Sequence, residues 1–278
     1  MPEIIKAGGN KEKFDPERLR ASLIRAGAGE YTAQHIADSV SKTVREGMHS
    51  RDIYRRAFTL LRKETRPVAA RYALRRALLE LGPSGHPFED FMARIFEKEG
   101  WKVEWRKMLQ GVCVPHEVDV YAHKGPATLV AELKYHNTAG YKTDVKVALY
   151  VKARFDDLWS YAEKTSIPKV ERGLLITNTK FTSQAIAYAN CAGLELMGWG
   201  YPENGNLYER ICRTRVYPIT TLTYLKKAEK KLLIDKGVVS CDMLRERREV
   251  LRSLHMTPQR IGTILAEADA LLALPHPY

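Results

Sequence analysis

Three charged side chains that end short apolar runs are the part of this sequence best suited to chemistry. His116-Glu117-Val118-Asp119 is followed about a dozen residues later by Val130-Ala131-Glu132-Leu133-Lys134. On an extended strand residues two apart share a face, so Glu132 and Lys134 emerge side by side while Leu133 enters the opposite layer. An Asp and a Glu held close are hard to bury unpaired and become tolerable with a divalent cation between them. A lysine beside a metal-bound water can orient or activate that nucleophile, or offset charge growing on a phosphate. Glu89 is a fourth candidate. It shares a helical face with Met92 and Phe96, and an acid on the inner margin of a core-facing helix suggests a role near the metal.

The elements around these residues must supply a scaffold. A helix over 87–99 closed by Gly100 precedes three strand-like runs, 101–105, 117–121 and 128–135. A helical stretch over 143–163, a strand at 173–177, a helix at 183–191 and a strand at 194–199 follow. This alternation predicts a partly parallel α/β sheet covered on both faces. Gly82-Pro83-Ser84-Gly85 and Val216-Tyr217-Pro218 bound the segment, dividing the chain into 1–82, 83–218 and 219–278.

Residues 88–199 resemble the PD-(D/E)xK nucleases, and more narrowly the Mrr-like restriction endonucleases. The likeness rests on Phe88-Glu89, Gly100, Glu117-Val118-Asp119, Glu132-Leu133-Lys134 and Leu175-Ile176-Thr177-Asn178 followed by Phe181 and Ala185. It implies a restriction-endonuclease-like mixed sheet flanked by helices and Mg²⁺-dependent phosphodiester hydrolysis, with Mn²⁺ as a substitute ion. Asp119 and Glu132 would be the metal ligands, Lys134 would assist the water, and Glu89 would be an additional acid. Val118 stands where the motif has proline, and Glu132 where many Mrr-like members carry Gln. Lys142, Lys146, Lys152 and Arg154, interleaved with Tyr135, His136, Tyr141 and Tyr150, form a surface able to track phosphates.

The first segment is read as a strand pair turned at Gly8-Gly9-Asn10. A helix begins at Asp15-Pro16, further helices are capped by Thr32 and Ser50, and a last one starts at Pro67. Ile4-Ile5-Lys6, Lys11-Glu12-Lys13-Phe14-Asp15, Arg18-Leu19 and Ala69-Ala70-Arg71-Tyr72-Ala73 resemble the ATP-cone, a regulatory nucleotide-binding module. The resemblance implies that Lys6, Lys13 and Arg18 face the triphosphate of ATP or dATP and that Glu12 contacts base or sugar. Ala7 departs from the basic residue often found there. The last segment is a set of short helices that loosely resembles helix-hairpin-helix modules, with Lys226, Lys227, Lys230 and Lys231 available to phosphates.

Composition agrees with an anionic partner, since the formal net charge is +12. The four cysteines form no CxxC pair, which argues against a zinc site and for free thiols. No long apolar run suggests membrane insertion, and a cytoplasmic location is expected. The resulting expectation is a metal-dependent DNA endonuclease under ATP or dATP control, acting as a homo-oligomer. Its alternatives are a structure-selective junction or repair nuclease, and a non-enzymatic nucleotide-sensing regulator.

Overall fold

The computed structural model describes residues 1–165 and 170–276. The chain folds as two units, Met1–Leu81 together with Tyr217–Tyr278, and Gly82–Val216.

In the first unit, β1 (Glu3–Ile5) and β2 (Lys11–Lys13) form the expected antiparallel pair, with Ile4 opposite Glu12. Gly9 takes a φ of 83° in the turn and donates its N–H to Lys6 O. Helix α1 (Pro16–Arg25) starts where Asp15 accepts the Glu17 and Arg18 amides, and it buries Leu19 and Leu23. Two caps differ from expectation. Helix α2 (Glu30–Ser41) begins after Gly29, which leaves Thr32 inside it. A short strand, β3 (Met48–His49), runs parallel to β1, so helix α3 (Ser50–Glu64) has His49 as its cap and Ser50 as its first residue. The single helix expected from Pro67 is two, α4 (Arg66–Tyr72) and α5 (Leu74–Leu79), separated by Ala73.

The second unit starts with α6 (His86–Lys98), whose Phe88, Phe91, Met92, Ile95 and Phe96 are fully buried. Gly100, at a φ of 86°, ends it. Strands β4 (Lys102–Gln110), β5 (Pro115–Lys124) and β6 (Ala127–Lys134) form an antiparallel meander, with β4 and β5 longer than the sequence suggests and β6 shifted by one residue. After a two-residue strand β7 (Lys142–Thr143), helix α7 (Val145–Thr165) packs Ala148, Val151 and Phe155 inward. Strand β8 (Arg172–Thr177) returns parallel to β6. Strand β9 (Lys180–Phe181) pairs with β7, and helix α8 (Ser183–Ala192) leads to strand β10 (Glu195–Met197), parallel to β8. The sheet order is β10-β8-β6-β5-β4, the expected mixed sheet. Strand β6 is central, and Leu129 to Leu133 are buried regardless of face, as in a strand covered on both sides. Gly173 gives α7 its close seat, because a Cβ there would lie 2.5 Å from the Phe155 ring. Helix α9 (Leu207–Thr214), not anticipated, is capped by Asn206 and anchored by Arg210 and Arg213 on Glu99.

The segment expected as a separate helical domain packs with the first unit instead. Its helices α10 (Lys227–Asp235), α11 (Cys241–Glu246) and α12 (Pro258–Leu272) follow a 3-10 turn at Ile219–Thr221. Thr220 Oγ1 donates to Ala77 O at 2.7 Å, the buried Arg71 donates to Pro275 O at 2.8 Å, and Leu274 packs on the N-terminal core. Glu267 on α12 accepts the Thr223 and Tyr224 amides, and Lys230 Nζ donates to Thr220 O. One of the four lysines offered to phosphate is therefore held by the fold. The four cysteines are unbridged. Among the described residues no helix is long and apolar enough to cross a membrane.

Candidate active site

The crossing from antiparallel to parallel pairing gathers the acids. Strand β6 bonds to β5 on one side and β8 on the other, so its last residues lie where the two strands part from the meander. Leu133 donates its amide to Asp119 Oδ2 at 2.6 Å, which fixes Asp119 of β5 beside Glu132. Glu132 is only 4% exposed, and both of its oxygens are held. Lys134 Nζ lies 2.6 Å from Oε1 and Arg154 Nη1 of α7 lies 2.6 Å from Oε2. The period-two alternation of β6 thus does what it implied: Glu132 and Lys134 share a face and touch. On α6, Glu89 is near enough to bear on the ionisation of Asp119. Its Oε2 is 2.9 Å from Arg106 Nε on β4. All four residues expected from the sequence are brought together.

Electrostatics separates their roles. Burial pushes the Asp119 carboxyl up to about 6, neighbouring Glu132 and Glu89 push the same way, and the Leu133 amide and Lys134 oppose them. Burial favours a neutral Lys134, yet the hydrogen bonds to Glu132 and Tyr150 outweigh it and hold its pKa above the ordinary lysine value. Lys134 is therefore held in its charged form beside Glu132. Asp119 and Glu132 fit a hard divalent ion: two close carboxylates, one resisting ionisation, with water able to complete the shell of Mg²⁺. Among the described residues no group of three or more His, Cys, Asp or Glu side chains converges on one metal position.

Several residues of the site were not identified as such from the sequence. Arg154 was read only as part of a basic helix surface, and Arg106 gave no signal. Arg106 falls opposite Asp119, between the Trp105–Val120 and Lys107–Val118 pairs of the β4–β5 ladder. Its φ of 53° is a strained backbone for a non-glycine residue. At the end of β6, Asn178 exchanges two hydrogen bonds with the His136 backbone and Thr177 Oγ1 donates to Lys134 O, which locks the strand end carrying the lysine. The His136 ring packs at a tilt against the exposed Tyr141, with centroids 4.0 Å apart, and burial followed by the charge of Lys134 lowers its pKa. Lys142 and Lys146 are exposed, whereas Lys152 is paired with Asp156.

The first unit holds a second candidate site, a cavity of about 170 Å³. Lys6, Glu12 and Arg18 line it, with Lys6 3.0 Å and Arg18 2.7 Å from Glu12 Oε1. The Lys6 hydrogen bond lowers the Glu12 pKa. Lys13 does not line the cavity, since it follows Glu12 on β2 and falls on the opposite face. Ser50, Tyr54 and Tyr72, none of them expected as ligands from the sequence, do. The two tyrosine rings stack at 5.1 Å, and the Tyr54 hydroxyl is buried without a hydrogen-bond partner among the described residues.

A helix acid, two strand carboxylates and a lysine gathered where a mixed sheet turns parallel place the second unit among restriction-endonuclease-like domains. Comparison with known families agrees. Residues 82–198 match the Mrr catalytic family, described as restriction endonuclease, residues 2–80 the ATP-cone domain, and residues 217–272 the AF1548-like C-terminal family. An uncharacterized protein of Archaeoglobus fulgidus is 32% identical over 182 residues, 65% of this chain and 99% of that protein. A solved structure described as a protein of unknown function, AF1548, shares 30% identity with a TM-score of 0.54, covering 68% of this chain and 98% of the other. The chain belongs to the family of the Archaeoglobus protein and joins an ATP-cone to an Mrr-like restriction-endonuclease domain.

Proposed function

We propose that this protein is a Mg²⁺-dependent DNA endonuclease whose activity responds to ATP or dATP held by the first unit. The observation that carries the reading is the nearly buried Glu132, with Lys134 on one oxygen and Asp119 fixed beside it through Leu133. Asp119 and Glu132 would hold the ion, which supplies an acidified water and neutralises charge on the phosphodiester. Lys134, a cation in this setting, would steady the attacking oxygen and the phosphate as negative charge grows. Glu89, partnered by Arg106, would set the charge facing Asp119 and hold the helix margin of the site. Exposed Lys142 and Lys146 beside the site, with a net charge of +12, suit a polyanion tracked through its phosphates.

In the cone, Lys6 and Arg18 would meet the triphosphate and Glu12 the sugar or base, with Tyr54 and Tyr72 forming an aromatic wall. A homo-oligomer and a cytoplasmic location complete the reading. The test is cleavage of supercoiled and linear DNA in Mg²⁺, with and without ATP or dATP, by the intact protein and by Asp119→Ala and Lys134→Ala. Cutting by the intact protein alone is the expected result, with a rate that changes on adding nucleotide. No cutting, with DNA binding equal in all three proteins, would discard the enzyme reading.

A further inference from the structure

Cations already hold most of the acidic charge at the site. Glu89, Asp90, Asp119 and Glu132 stand against Arg106, Lys134 and Arg154, and the two glutamates are directly gripped by those cations. Lys134 is fixed to Glu132 by the geometry of their shared strand. Arg154 is different, because it reaches Glu132 from α7, one turn after Tyr150. Its Nη1 lies 2.6 Å from Glu132 Oε2 and 3.3 Å from Glu117 O, and its guanidinium carbon stands 5.8 Å from the Tyr150 ring centre. The side chain is 27% exposed, so part of it already meets solvent.

A divalent ion added to this cluster leaves one surplus positive charge in a half-buried place, and that is unfavourable until an anion arrives. A phosphodiester brings that negative charge. The guanidinium also competes with the ion for a Glu132 oxygen, and once released it needs an anion of its own. We propose that Arg154 is a stand-in cation: it occupies Glu132 in the free protein and, when a divalent ion takes that carboxylate, moves to a DNA phosphate beside the site. This rests on the nuclease reading above. Its consequence is that the free protein holds metal weakly, and that metal and DNA strengthen each other's binding.

The experiment reads binding rather than cutting. Mn²⁺ uptake by the full chain without DNA is followed by electron paramagnetic resonance, and affinity for a fluorescent duplex is followed by anisotropy in Ca²⁺. Arg154→Met should raise Mn²⁺ affinity by about tenfold, the scale of one charge-assisted hydrogen bond removed from the competition, and lower duplex affinity by a similar factor. Arg154→Lys keeps the charge and should leave Mn²⁺ affinity near that of the unaltered protein. Equal or weaker Mn²⁺ binding by a folded Arg154→Met protein overturns the inference, as does loss of both affinities together. Absence of Mn²⁺ uptake by the unaltered protein, with or without DNA, would overturn the nuclease reading along with it; uptake lost in Asp119→Ala alone would leave that reading standing whatever Arg154 does.

Discussion

Asp119 should weaken the fold it belongs to. Burial and two neighbouring glutamates raise its carboxyl from an ordinary value of 3.8 to about 6, so ionising it at neutral pH runs against about 3 kcal/mol. The unfolded chain releases the same proton near pH 4. Between about pH 4 and 6 the native state therefore binds the extra proton, and stability falls as pH rises through that window; above about pH 6 the full penalty is present. Asp119→Asn removes the charge and keeps an oxygen for the Leu133 amide. It should stabilise the Gly82–Val216 unit by up to about 3 kcal/mol at pH 7.5 and by close to nothing at pH 4. All four tryptophans, Trp101, Trp105, Trp159 and Trp199, lie in that unit, so urea denaturation followed by tryptophan fluorescence reports on it alone. Saturating Mg²⁺ should narrow the difference by stabilising only the unaltered protein. A gain of equal size at both pH values, or a loss at pH 7.5, would refute the argument that burial and the neighbouring acids set this ionisation.

Two further outcomes follow from packing and from the cavity. Gly173→Ala places a methyl 2.5 Å from Phe155 and should lower stability by about 1–3 kcal/mol in the same denaturation, with part of the loss recovered by adding Phe155→Leu. Lys6→Ala and Arg18→Ala should each weaken ATP and dATP binding about tenfold by calorimetry, whereas Lys13→Ala should change it less than twofold; equal losses from all three would remove the cavity as the nucleotide site.

The parts of the site that lie on one element were legible in the sequence. Glu132 and Lys134 are set by strand alternation, and Glu89 by a helical stripe with Met92 and Phe96. The adjacency of Asp119 to them needed only two neighbouring strands. Arg154, Arg106 and Asn178 were not legible as partners, because α7, β4 and the bend after β8 reach the site through tertiary packing and a lone basic or amide residue carries no period. The same limit hid the end segment's place. Its apolar spacing announced helices, but nothing in it named Ala77, Arg71 or the N-terminal core as the surfaces they would cover. Helix α9 was missed although Asn206 caps it, because the preceding Tyr201-to-Asn206 stretch reads as loop and the helix is short. In the first unit, alternation along β2 separates Glu12, which lines the cavity, from Lys13, which does not, and that split was readable from the sequence.

The division into two units also orders events on the ribosome. Every residue of the Gly82–Val216 unit is available once Val216 has left the exit tunnel, whereas the other unit must wait for the chain from Tyr217 onward. Synthesis thus delivers the complete restriction-endonuclease-like domain before the ATP-cone unit can close its own core. A chain stalled or cleaved soon after residue 216 would carry the restriction-endonuclease-like domain with the other unit unfinished.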